Sequence, residues 1–285
     1  QKKPFSDGRG ETITFTADDV ARYSTYVAGN GTTAAVSARL QWTQYQALQA
    51  ILLASANNIS DTMAIWAFGS LENYREYAQE MVRKLGMNET TIGTDASGYD
   101  ASTTSTAHDL AILALRVLEE PVLRDIVSQQ TATLPVAGMI TNTNVLLDHD
   151  EIIGMKTGYS PEAGGVFVLA GRHSVDEHAQ GIVTVVMGAP GGASRVAQDD
   201  AYALYTSAKE NFSYQQIATS GQPIGSAVPA WSEAIPVLAK EGVGMFVWSG
   251  TPIGLQLPDE YIEPGSQGAG VLTISRGEQQ RDIPL

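Results

Sequence analysis

Two runs of apolar, mostly β-branched residues, Val166–Ala170 and Ile182–Met187, constrain this chain more than any other feature. Continuous apolar runs of this length read as strands buried on both faces, where alternation would read as half-buried ones. The polar link Arg172–Gln180 between them would join them as an antiparallel pair. A buried pair needs a chain able to surround it, and 285 residues at 43% hydrophobic can bury a core of that size.

Most of what precedes the pair reads as helix. Residues 11–16 alternate as a short strand, and Asp18-Asp19-Val20-Ala21 follows as a helix start. Residues 29–38 are Gly/Thr/Ala-rich loop. From Thr43, Tyr45, Leu48, Ile51 and Leu52 share one helical face. A second run, Ile59 to Phe68, is apolar nearly all round (Met63, Ile65, Trp66, Phe68), which predicts a buried helix. Between the two lies a polar knot, Ser55 to Asn58. A third helix over 71–85 shows the stripe Tyr74, Tyr77, Ala78, Met81, Val82, Leu85 and stops at Gly86. Thr106-x-x-Asp109 resembles a capping box opening a helix to about Leu118, with Pro121 beyond its end. Residues 131–147 read as irregular strands ending in Asn142–Leu147. Gly191-Gly192 leads to a helix from Ala193 to Glu210 with inner face Ala197, Ala201, Leu204, Tyr205 and Ala208.

Past Asn211 the helical period vanishes and short alternating runs appear: Ile235–Leu238, Met245–Trp248, Gly270–Ile274. This predicts two domains, 1–211 and an all-β module over 212–285. Both ends look cut: the chain opens on Gln1-Lys2-Lys3-Pro4 and stops at Arg281–Leu285 just as a strand pattern could begin. The expectation is a fragment or processed form, incomplete at both ends. No apolar run is long enough to span a bilayer, and no signal peptide is visible. The net charge of −14 argues against nucleic acid and anionic membrane surfaces as partners. With no cysteine, disulfides and thiolate chemistry are excluded.

Nucleophilic chemistry must then come from Ser, Thr, Lys or a carboxylate. None of the four histidines (His108, His149, His173, His178) stands beside a Gly-x-Ser-x-Gly elbow, because the chain has none. His173 and His178, with Asp176 and Glu177, lack metal-ligand spacing and read as a solvated turn, and His108 as an exposed residue of a first helical turn. No phosphate-binding glycine pattern occurs, and no metal or cofactor is expected. There remain Lys156-Thr157-Gly158, where a lone ammonium ends a strand-like run beside a hydroxyl and a glycine, and Ser55-x-Asn57. The first suits an anion, yet three residues alone equally describe a surface turn. Ser55 and Asn57 could equally be helix-terminal residues.

Together these two motifs are those of the penicillin-recognising serine acyl-transferases. Leu52–Asn58, Asp95-Ala96-Ser97-Gly98-Tyr99, Ser105–Leu110, Asn142-x-Asn144-x-Leu146-Leu147 and Gly154–Tyr159 with Ala163-Gly164 occur in the order found in low-molecular-mass penicillin-binding proteins. The chain therefore resembles the serine-type D-alanyl-D-alanine carboxypeptidases over nearly its whole length. The resemblance implies an α+β fold: a β-lactamase/transpeptidase-like domain, an antiparallel sheet flanked by helices, followed by a small β-sandwich-like domain. It implies hydrolysis of the bond between the terminal D-alanines of peptidoglycan pentapeptide stems through an acyl-enzyme. Ser55 would relay a proton, Asn57 would hold the substrate amide and orient the catalytic lysine, and Lys156 would supply positive potential. Thr157, at Lys156-Thr157-Gly158, would bind the terminal carboxylate, and the Tyr159 N–H would form half of the oxyanion hole. β-Lactams would inhibit the full-length enzyme. The location would be extracytoplasmic, with any membrane association through segments not present here.

Two departures stand out. The family's Ser-x-x-Lys is absent: the residues three before Lys84, Lys156, Lys209 and Lys240 are Met81, Ile153, Thr206 and Val237. The 285 residues are thus expected to begin downstream of the nucleophile and to be inactive as they stand. Thr143 also occupies a place where many members carry an arginine that helps bind carboxylate. A non-catalytic relative that binds cell wall, or a β-lactamase-like hydrolase, are the alternatives.

Overall fold

The computed structural model describes residues 9–149, 151–191, 194–228, 233–256, 271–276 and 279–284; the opening Gln1-Lys2-Lys3-Pro4, Gly192, Gly270 and Leu285 lie outside them. The chain divides into two units, Gln1–His173 with Gly181–Thr206, and Ser174–Gln180 with Ser207–Leu285.

In the first unit β1 (Thr12–Thr14) pairs antiparallel with β2 (Gln41–Thr43), Ile13 opposite Trp42. Between them α1 (Ala17–Ala28) opens on a capping box. The Thr16 hydroxyl accepts from Asp19 N–H at 3.3 Å, and the Asp19 carboxylate accepts from Thr16 N–H at 2.7 Å. A second capping box, Thr43 with Gln46, converts β2 directly into α2 (Gln44–Leu52). After Leu53 the chain turns sharply, with Ser55 at φ +57, and re-enters helix as α3 (Asn57–Phe68).

The deepest face of α3 is not its most apolar one. Asn58, Asp61 and Thr62 are buried with Ile59 and Ala64, while Met63, Ile65, Trp66 and Phe68 are only half-buried. Burial of these polar groups is tolerated because each has partners. Asn58 grips the Ala34 backbone in both directions at 3.0 Å, Thr62 donates to Asp19 at 2.8 Å, and Asp61 accepts from the Tyr26 hydroxyl at 2.7 Å.

Helix α4 (Leu71–Lys84) is capped by Ser70 and ends before Gly86 at φ +81, but Tyr77 and Met81 of its apolar stripe stay exposed. Helix α5 (Ala107–Glu119) takes half of the expected capping box. The Thr106 hydroxyl accepts from Asp109 N–H, while the Asp109 carboxylate turns to Glu89 N–H and the Thr90 hydroxyl. Pro121 does more than follow this helix: it opens α6 (Pro121–Val127) at a position where its missing N–H costs nothing. Strands β3 (Thr131–Leu134) and β4 (Gly138–Thr141) form a hairpin. Asn142–Leu147 is turn rather than strand, because the Asn142 and Asn144 side chains accept from the N–H groups of Asn144 and Leu146.

The apolar runs lie in a three-stranded sheet of order β5-β6-β7: β5 (Ile152–Ser160), β6 (Gly164–Val175) and β7 (His178–Ala189). β6 and β7 run well past those runs, and only Asp176-Glu177 turns between them. The expected polar loop is mostly strand, so His173 is a buried β6 residue and not part of a solvated turn. Burial alternates from Gly171 to Ser174, the pattern of a strand with one covered face, which an apolar-run criterion cannot detect.

Helix α7 (Ser194–Asn211) buries Ala197, Ala201, Tyr205 and Ala208 as expected. It leaves Leu204 51% exposed and places Gln198 inside instead. Two clusters make the core. One joins Ile13, Trp42, Leu53, Ala56 and Ile59 to Ile126; the other joins Ala114, Val127, Met155, Val168 and Ala170. Successive residues of α6 serve one cluster each.

Among the described residues the second unit is built of strand apart from the end of α7. β8 (Phe212–Ala218), β9 (Pro223–Ala227), β10 (Ile235–Leu238), β11 (Val243–Trp248), β12 (Gly254–Gln256), β13 (Val271–Arg276) and β14 (Gln279–Pro284) follow in order. β8 pairs with β11, β9 with β10, and β12-β13-β14 form a third sheet, all antiparallel. Ala218, Val237, Ala239, Val243 and Ile274 form its small core.

Candidate active site

Two elements far apart in sequence build the site. The corner between α2 and α3 is pinned on both sides of Ser55, since Leu53 and Ala56 are fully buried in the first core cluster. The left-handed backbone of Ser55 is costly for a residue with a side chain and persists only where its surroundings hold it. Strand β5 brings in Lys156, between buried Met155 and Thr157 and opposite Val168.

The Lys156 ammonium donates to the Ser55 hydroxyl and, at 2.7 Å, to the Thr157 carbonyl. Lys156 is only half-buried by exposed area, but protein crowds its ammonium. That desolvation pushes it down to about 8. At pH 7 roughly one such lysine in ten is then a free amine. Its hydrogen-bond partners are a hydroxyl and a carbonyl, neither of which would hold it charged as a carboxylate would.

The Thr157 hydroxyl meets the Thr143 hydroxyl at 2.6 Å. Thr143 is in turn anchored by its N–H to the Leu53 carbonyl at 3.1 Å, so the turn after β4 ties the Ser55 corner to β5. The sequence marks Thr143 only as a departure from a family pattern. Its contact with Thr157 depends on the turn that Asn142 and Asn144 impose.

The other expected residues lie close by with less direct engagement. Asn57 opens α3, and its N–H donates to the Thr32 carbonyl at 2.9 Å. Among the described residues its amide makes no hydrogen bond to Ser55 or Lys156. A Cβ on Gly31 would stand 3.2 Å from that amide, so Gly31 leaves it room. Tyr159 stands opposite Gly165 with its ring exposed. Gly158 faces Val166, and a Cβ there would sit in ordinary contact at 3.7 Å, so sheet packing does not demand glycine. Gly164 is different: at φ +66, a Cβ would approach the Ala189 carbonyl to 2.9 Å, and only glycine closes this turn.

The Asp95–Asp100 loop is wound around one carboxylate. Asp95 accepts from the N–H groups of Ser97 at 2.6 Å, Gly98 at 2.7 Å and Asp100 at 2.6 Å. Ala96 N–H donates to Asp61 at 2.9 Å, and the Tyr99 hydroxyl donates to the Gly29 carbonyl, which docks the loop on α3 and the end of α1. Sequence reasoning gave Asp61 no role. The one signal was a carboxylate in a helix otherwise nearly free of charge. His108 is 78% exposed, and the described residues hold no group of three or more His, Asp or Glu suited to a metal.

A strained hydroxyl against a partly neutral lysine, with two more hydroxyls beside it, can move a proton and receive an anion. Comparison with known proteins gives this arrangement a context. A family model described as D-alanyl-D-alanine carboxypeptidase matches residues 10–191. D-alanyl-D-alanine carboxypeptidase DacD of Salmonella typhimurium is 28% identical over 182 residues, covering 62% of this chain and 44% of that protein. D-alanyl-D-alanine carboxypeptidase DacB2 of Mycobacterium tuberculosis is 31% identical over 140 residues, 45% of each. These matches span less than half the length of either relative. Among solved structures, the peptidoglycan synthesis regulatory factor PBP3 of Streptococcus pneumoniae aligns with a TM-score of 0.73 at 18% identity, covering 96% of this chain and 83% of that one.

Proposed function

Because the chain belongs to the D-alanyl-D-alanine carboxypeptidase family of low-molecular-mass penicillin-binding proteins, we propose that its site serves the cleavage of the terminal D-alanine from peptidoglycan pentapeptide stems. The observation that carries this is the meeting of Ser55 and Lys156 across 101 residues of sequence, within the matched stretch.

The reaction passes through an acyl-enzyme, and these 285 residues hold no Ser-x-x-Lys that would supply its acylating serine. Ser55 hands a proton towards the departing D-alanine amine, and the corner that pins its hydroxyl makes that transfer directional. Lys156 supplies positive potential at the same point. Thr157, backed by Thr143, receives the terminal carboxylate of the stem, a share of the work that falls on hydroxyls because residue 143 is not a cation. Asn57 holds the substrate amide and the Tyr159 N–H half of the oxyanion. The absence of a side chain at Gly158 lets an acyl chain lie close along β5. No cofactor takes part. β-Lactams inhibit the same site in the enzyme that carries the serine, and the location is extracytoplasmic; among the described residues no helix is long and apolar enough to cross a membrane.

A second reading is a relative that binds stems without cleaving them, favoured by the absent Ser-x-x-Lys. A fluorescent penicillin offered to the 285-residue chain tests the placement of the nucleophile: no stoichiometric labelling is expected, and labelling would overturn it. D-alanine release by the complete gene product separates the two readings. The carboxypeptidase reading expects release, with Lys156→Ala losing about 100-fold or more; no release from a folded, complete protein leaves the binding reading.

A further inference from the structure

We propose that Gly31 is a positioning residue: the segment 31–34 fixes where the Asn57 amide can sit, and the missing side chain at residue 31 leaves that place open. The segment crosses the first turn of α3 and is bound to it. The Asn57 N–H donates to the Thr32 carbonyl at 2.9 Å. The buried Asn58 side chain accepts from the Ala34 N–H and donates to the Ala34 carbonyl, each at 3.0 Å. At the near end the Gly31 N–H donates to the Tyr26 carbonyl at 2.8 Å. Held at both ends, the segment cannot slide relative to α3.

Gly31 is not a turn glycine. Its φ lies outside the left-handed region, so the backbone does not ask for glycine there. Space does. A Cβ on Gly31 would stand 3.0 Å from the Tyr26 ring, 3.2 Å from the Asn57 amide and 3.3 Å from the Tyr26 carbonyl. Tyr26 is not free to yield. It is buried, its hydroxyl donates to buried Asp61 at 2.7 Å, and the Tyr99 ring meets it edge-on with centroids 5.4 Å apart. The Asn57 amide can yield, because among the described residues its side chain has no hydrogen bond to hold it. A methyl at residue 31 would therefore displace Asn57 by a few tenths of an ångström. Displacements of that order matter where a group must meet a reacting bond.

Gly31→Ala tests this, with Gly181→Ala, whose Cβ would meet nothing within 4 Å, as the control. The first readout needs no chemistry: the side-chain amide resonances of Asn57 in the 285-residue chain, identified by their loss in Asn57→Ala. Gly31→Ala should move them and Gly181→Ala should not. Unmoved resonances in a folded Gly31→Ala protein would overturn the proposal. If that variant does not fold, the parent decides: a nuclear Overhauser contact between the Gly31 Hα and the Asn57 amide supports the proposal, and its absence overturns it. The second readout rests on the proposed function, in which Asn57 holds the substrate amide, and is D-alanine release by the complete gene product. Gly31→Ala should lower kcat/KM about tenfold. In an Asn57→Ala background it should lower it no further, whereas a general structural fault would cost the same in both. Equal losses in the two backgrounds would overturn the proposal. No release by the unsubstituted complete protein would remove the proposed function and leave the Asn57 resonances to decide what Gly31 positions.

Discussion

At the residue scale, Ser55, Lys156 and Thr157 were legible because their types and order are a pattern, and patterns survive without coordinates. Thr143 was not, because its role is a contact: its hydroxyl reaches Thr157 only when the Asn142 and Asn144 side chains bend the chain after β4. That contact can be weighed by a double-mutant cycle. Thr143→Val removes the hydroxyl but keeps the N–H bond to the Leu53 carbonyl, and Thr157→Val removes the other half. Each change should lower unfolding free energy by about 1 kcal/mol, the usual net value of a hydrogen bond. The double mutant should cost less than the sum by about 0.5–1.5 kcal/mol, since the second change removes a bond already lost. Urea midpoints of the four proteins provide the numbers, and strict additivity would mean that the two hydroxyls do not sense each other.

At the element scale, helices with a cap and a stripe were readable to within a residue or two, whereas elements that obey a mixed rule were not. β6 is apolar on both faces for half its length and on one face for the rest, so its second half, including His173, passed for loop. Pro121 does lie just beyond the end of α5, but it also opens α6, and a proline read only as a stop hides the helix it starts. Polar burial in α3 was hidden for the same reason, since Asn58, Asp61 and Thr62 gain their partners only from other elements. The docking of α7 on β6 shows how much an element can depend on one missing atom. A Cβ on Gly171 would stand 2.5 Å from the Tyr205 ring, which is 2% exposed and tethered by its hydroxyl to the Arg172 carbonyl. Gly171→Ala should therefore destabilise by about 1–3 kcal/mol through overpacking. Gly181→Ala in β7, where a Cβ would meet nothing within 4 Å, is the matched control and should cost well under that. Equal denaturation midpoints for the two variants would show that Tyr205 can step aside.

At the scale of the whole molecule, charge is the property that acts on every element at once, and 31 acidic against 17 basic residues make pH the natural probe. The buried carboxylates do not all pull the same way. Burial raises Asp61, and the nearby Asp95 adds to it, beyond what Ala96 N–H and the Tyr26 hydroxyl restore. Asp109 is lowered, chiefly by the Thr90 hydroxyl and then by Glu89 N–H. Burial works against Asp19 too, but hydrogen bonds from Thr16 and Thr62 and the charge of Arg22 outweigh it, so it ends low. By linkage, the lowered pair contributes stability above the ordinary carboxylate range that disappears as pH falls through their folded values. Asp61 does the reverse: its contribution is present in acid and lost as pH rises through its folded value. The melting temperature should then fall steeply below about pH 4, where the lowered carboxylates take up protons. Asp61→Asn keeps an acceptor for Ala96 and offers a donor to the Tyr26 oxygen while removing the buried charge. It should melt higher than the parent at pH 7, with the gap closing towards pH 4. Asp109→Asn should melt lower at pH 7, and its gap should close in acid as well, from the opposite side. An Asp61→Asn curve that lies above the parent at pH 7 and converges on it in acid would establish that the loop at Asp95–Asp100 is docked on α3 at an electrostatic cost, with Asp109→Asn as the control of opposite sign. An Asp61→Asn protein that melts below the parent across the whole range would show that the carboxylate's hydrogen bonds outweigh the cost of burying its charge.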